Sequence, residues 1–128
     1  METEVQQHAT VDLAYKQETV PVDAKLAGVI QLIWDKGLST DCSCEDIGGD
    51  IAYLNFPEYD EALVAFRTMA NFARVHAFHD EDGTEIDVVV SMAYSSGSLE
   101  TQIQFVPNTL LPELEKYMRS AWTGGETN

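Results

Sequence analysis

Two alternating runs joined by a short polar turn leave this chain little freedom in how it folds. Ile86, Val88, Val90, Met92 and Tyr94 occupy every second position. Ser95-Ser96-Gly97-Ser98 then turns the chain, and Leu99, Thr101, Ile103 and Phe105 alternate back. A period of two places each set on one side of a strand, so the runs predict a long antiparallel hairpin with one covered face. The cover lies upstream. Tyr59, Ala62, Leu63, Phe66, Met69, Ala70 and Ala73 trace an unbroken helical stripe behind Pro57 and Glu58, which suit a helix start.

Two more helices follow from the same periodicity. Pro21 and Asp23 announce one over 24–36, with Asp23 as N-cap, Leu26, Ile30, Ile33 and Trp34 as its stripe, and Gly37 as its stop. Leu110, Leu111, Leu114, Tyr117, Met118 and Ala121 form another after Pro107. Alternation at Val11, Leu13 and Tyr15 predicts a strand near 10–16. Thr40 to Cys44 runs extended, residues 45–50 turn, and 51–56 return as a strand. Val75 to His79 reads as a further strand before the acidic turn Asp80-Glu81-Asp82-Gly83. Three amphipathic helices and a mostly antiparallel sheet make an α+β two-layer sandwich, with the helices on one sheet face. Residues 10–122 form one domain between flexible tails at 1–9 and 123–128. The opposite sheet face carries Ser91, Ala93, Gln102 and Gln104, so it is wet or pairs with a second copy as a homodimer.

Charge narrows the function classes. Twenty-two acidic residues against seven basic ones leave a net charge of −15. Such a surface repels phosphates and anionic lipid heads, which argues against direct nucleic-acid or membrane binding. No apolar run reaches the ~20 residues of a membrane span. The acidic opening Met1-Glu2-Thr3-Glu4 is unlike a secretory leader, and two cysteines only two positions apart make a poor disulfide, so a reducing cytoplasm is expected.

Cys42 and Cys44 would share one strand face and could serve a common ligand. With His76 and His79 they supply the donor count of a Cys2His2 zinc site, although Cys-x-Cys on a strand is a weak chelate. Asp41, Glu45 and Asp46 flank the thiols with negative charge and the segment follows a helix C-terminus, surroundings that disfavour a cysteine nucleophile. No phosphate-binding glycine pattern or Gly-x-Ser-x-Gly sequence is present, so a non-enzymatic role is expected, without a cofactor unless zinc is bound. The carboxylates of Glu45, Asp46, Asp50, Asp80, Glu81, Asp82 and Glu85 gather in two loops, suited to steering the protein towards a partner with a basic surface. A third reading is a small-ligand pocket between sheet and helices, lined by Trp34, Tyr53 and Tyr94.

Val22-Asp23, Leu26, Ile30, Leu32, Trp34, Gly37-Leu38-Ser39-Thr40 and Ser43-Cys44-Glu45-Asp46, followed by Ile51-Ala52-Tyr53-Leu54-Asn55-Phe56, carry a resemblance. This run is similar to small uncharacterised actinobacterial and actinobacteriophage proteins. In those, a helix leads to Gly-x-x-Thr-x-x-Ser-Cys-(Gln/Glu)-Asp, then a strand and a second helix. The similarity covers about residues 20–75, and Glu45 stands where that pattern often has Gln. It implies origin more than function; a phage accessory protein fits the size, the acidity and the lack of a catalytic motif, and binding and modulating a host protein is the role expected of it here. It also implies that Ser43 and Cys44 form a structural corner between helix and strand.

Overall fold

The computed structural model describes residues 9–79, 85–95 and 97–122. It opens with β1 (Thr10–Tyr15) and β2 (Glu18–Asp23), which pair antiparallel as a separate two-stranded sheet. Lys16 and Gln17 join them with φ of 52° and 69°, the paired left-handed residues of a twist-matched hairpin turn. The sequence reading lacked this second strand, taking Pro21 as a helix signal. Proline is admitted here because a two-stranded ribbon leaves an N–H position unpaired. Val20 and Val22 give the returning strand its inward side.

A single 3-10 turn at Ala24–Leu26 leads into α1 (Ala27–Asp35). Its end matches expectation. Gly37, at φ 94°, donates its N–H to the Trp34 carbonyl (2.9 Å), and Leu38 donates to that of Ile33 (3.1 Å). This paired closure satisfies carbonyls that the helix leaves open. The start does not match. Asp23 takes the N-cap position but makes no side-chain cap hydrogen bond, because its carboxylate is used elsewhere.

The main sheet has the order β3 (Ser43–Cys44), β4 (Ala52–Phe56), β6 (Ser98–Val106), β5 (Asp87–Ser95), with every pairing antiparallel. The molecule is therefore an α+β sandwich, with three helices and two antiparallel sheets among the described residues. α2 (Tyr59–His79) lies across β4, β6 and β5, and α3 (Leu111–Trp122) packs on α1 and α2. The strand expected at Val75–His79 is instead the last turns of α2. Phe72 and His76, one turn apart, bring their rings to 5.6 Å.

One cluster of buried side chains joins all three helices to β4 and β6, including Ile30, Ile33, Leu54, Phe56, Met69, Ile103, Phe105, Leu114 and Met118. Each such side chain contributes about 1.5–3 kcal/mol on burial. A side chain at Gly28 would meet only the carboxylate end of Glu115 on α3, which would have to swing aside. No helix among the described residues is long and apolar enough to cross a membrane. Of the expected tails, residues 1–8 and 123–128 lie outside the described residues. Ala9 is tied down, its carbonyl accepting the Ala24 N–H at 2.7 Å.

Candidate functional site

Strand register decides where the cysteines point. Cys44 stands opposite Tyr53, while buried Leu54 stands opposite Ser43. Cys44 and Tyr53 therefore lie on the sheet face away from the helices. Cys42 joins them there, because the Asn55 side-chain amide donates to its Sγ at 3.1 Å. The same amide group accepts from Gln102 (3.0 Å), which accepts from Gln104 (2.8 Å). A polar chain thus runs across the open face from β6 to Cys42. Cys44 Sγ donates to the Asp46 carbonyl at 3.4 Å. The Tyr53 phenol is held above its ordinary pKa of 10.0, first by burial, then by the charges of Cys42 and Cys44, a hydrogen bond with Cys42, and the charge of Asp23.

A second polar group sits behind this face. Glu45 is only 7% exposed. Its carboxylate accepts the Lys25 N–H at 2.9 Å, while its own N–H donates to the Asp23 carboxylate at 2.9 Å. Its carbonyl accepts from the side chain of buried Asn108 at 2.8 Å. Glu45 therefore caps the start of the first helical segment from a distant loop, satisfying an N–H that a local cap ordinarily takes. This overturns its expected role as an exposed acid. A carboxylate engaged in this way is not available to steer a partner.

An open cleft of about 380 Å³ lies between the β1–β2 hairpin, α1 and the segment 40–43. Tyr15 and Trp34 stack in its wall with centroids 4.1 Å apart, and Trp34 Nε1 donates to Thr40 Oγ1 at 3.1 Å. Asp23, Asp41 and Cys42 also line it. Lys16 Nζ lies 5.1 Å from the Tyr15 ring centroid but does not line this cleft, bordering instead a neighbouring one with Gln31 and Ser39.

Of the three expected pocket residues, only Trp34 lines this cleft. Tyr53 is on the open sheet face. Tyr94 is on the opposite face, paired with Leu99 near the end of the hairpin and 75% exposed. A shared pocket is thus excluded by register. Tyr15, Asp23 and Asp41 were missed as cleft residues. The available signal was the alternation of Val20 and Val22, which implies a hairpin and returns Tyr15 towards the helix.

His76 is on α2, against Phe72, while Cys42 and Cys44 are at the β3 edge. Among the described residues no group of three or more His, Cys, Asp or Glu is arranged to hold a metal ion. The side chain of His79, with Asp80, Glu81 and Asp82, lies outside the described residues. Asp46, Asp50 and Glu85 are exposed, with one Asp46 carboxylate oxygen accepting the Gly48 N–H at 2.8 Å. No family model, curated protein or solved structure matches the chain.

Proposed function

We propose that this chain is a small acidic binding protein that docks on a basic surface of another protein, with the cleft beside Trp34 at the centre of contact. The observation that carries this reading is the make-up of the cleft wall, a stacked Tyr15–Trp34 pair with the exposed Asp41 nearby. An aromatic face attracts a cation by about 0.5–1 kcal/mol at an exposed site. A carboxylate beside it completes a site for an arginine or lysine side chain. Around the cleft, the net charge of −15 draws a basic surface in and speeds encounter. Asp46, Asp50 and Glu85 contribute to that field, as do Asp80, Glu81 and Asp82 by their charge. The resemblance to small actinobacteriophage proteins suits a cytoplasmic accessory protein that modulates a host protein.

The test is an arginine-rich peptide titrated into a Trp122→Phe variant, which leaves Trp34 as the sole tryptophan. Saturable quenching that weakens with salt, and an affinity that falls about five-fold in Asp41→Asn, are expected. Equal responses to arginine-rich and acidic peptides would remove the cleft from the proposal.

A further inference from the structure

The outer edge of β5 has no strand beside it among the described residues. It is nine residues long and pairs with β6 without a bulge. Soluble proteins protect such an edge with charges, proline, a bulge or a covering element. Here Val88–Leu99 carries no charged residue, in a chain where 23% of residues are charged. Exposed apolar side chains gather at the same place. Val89, Met92, Tyr94 and Leu99 are exposed on the hairpin.

α2 extends this surface. Its Ala62, Ala65, Met69 and Phe72 are buried, and Glu61 and Thr68 bond to Ser39 and Trp122 on the side of α1 and α3. Helical spacing puts Tyr59, Leu63 and Phe66 on the other flank, beside β5. Tyr59 and Leu63 are exposed there. The apolar stripe of α2 is thus wider than the core it covers.

We propose that β5 is the two-fold interface of a homodimer. The β5 strands of two copies pair antiparallel about Ser91, which joins two four-stranded sheets into one, and the α2 flanks meet above the join. In this register Val90 faces Met92 of the second copy and Val88 faces Tyr94, all on the helix-covered side. Val89 faces Ala93 on the open side, and Ser91 faces itself. Every pairing from Val88 to Tyr94 is uncharged, the one acid of the strand, Asp87, falls at its end opposite Ser95 of the second copy, and the pattern is self-complementary, as a two-fold interface requires. A second copy is the occupant that fits. Two chains of charge −15 repel one another over most of their surface, and this strip is where they approach at least cost. A basic partner gains no charge pairing at this edge. The inference does not rest on the cleft reading.

The decisive experiment combines oligomeric state with a register-specific crosslink. Light scattering at micromolar concentration should give a dimer. Directly opposed residues sit ~4.5–5.5 Å apart at Cα, within disulfide range. In a Cys42→Ser/Cys44→Ser background, Ser91→Cys should therefore crosslink on oxidation, and Ala93→Cys should do so far less. Met92→Lys/Tyr94→Lys changes two side chains exposed in the single copy, so the far-ultraviolet spectrum should be retained. Burying those charges should weaken the dimer by about 100-fold or more. A monomeric wild type overturns the proposal, as does a dimer indifferent to the lysines or one that Ser91→Cys fails to crosslink.

Discussion

The two edges of the main sheet are built in opposite ways. At β3 the strand is two residues long, the β1–β2 hairpin lies against it, and a buried polar group secures it. Asp23, Lys25, Glu45 and Asn108 exchange hydrogen bonds there, and each bond fixes one loop against another. At β5 the strand is long, free of charge from Val88 onward and uncovered among the described residues, and it exposes Val89, Met92 and Tyr94. The first edge is closed by specific polar contacts within the chain. The second is left with the surface that a further strand requires. Polar bonds of this kind specify a single arrangement, because each unmade bond leaves a buried group unsatisfied.

The largest effect is expected at the β3 edge. Asn108→Ala strands the buried Glu45 carbonyl, and Glu45→Ala strands the Lys25 N–H, so each should cost about 2 kcal/mol by urea denaturation. A loss below about 0.5 kcal/mol would mean that the polar group does not secure this edge, and the contrast would fail. A smaller effect of opposite sign is expected towards the β5 side. Thr101 Oγ1 is buried with no hydrogen-bond partner among the described residues. Thr101→Val keeps the shape and removes the stranded hydroxyl, so it should stabilise by up to about 1 kcal/mol. Destabilisation would show that the hydroxyl is satisfied in solution.

The smallest effect belongs to pH. Tyr53 has a raised pKa in the folded protein, so the unfolded chain loses that proton first, from its ordinary value of 10.0. Between the two values the folded state holds more protons. The stability that Tyr53 adds is therefore complete below pH 10.0 and is lost as pH climbs through the higher folded value. Tyr53→Phe should flatten the alkaline limb of a stability–pH curve. An unchanged limb would assign that loss to other groups.

Long periodic segments were legible in the sequence. The hairpin alternation, the first part of the α2 stripe and the Gly37 stop all rest on spacing within one element. Val75 to His79 was misread because β-branched and aromatic residues favour strands locally. The packing of His76 on Phe72 accompanies continuation of the helix. β2 was hidden by Pro21 and by a turn at Lys16-Gln17 that lacks the usual glycine or asparagine. The cleft was less legible still. Tyr15 and Trp34 are far apart in sequence and meet only once the hairpin folds back. Glu45 and Asp46 look alike as neighbouring acids, yet one is buried and the other exposed, because only Glu45 faces the Lys25 N–H and Asn108.

The remote cap on the first helical segment also bears on the order of folding. Its N–H partner comes from a residue twenty positions later, and that residue is held in turn by Asn108, 63 positions further on. A nine-residue helix is too short to persist alone in water. The support behind this cap is therefore complete only when the C-terminal third has arrived. During synthesis, that support waits on sequence still inside the ribosome.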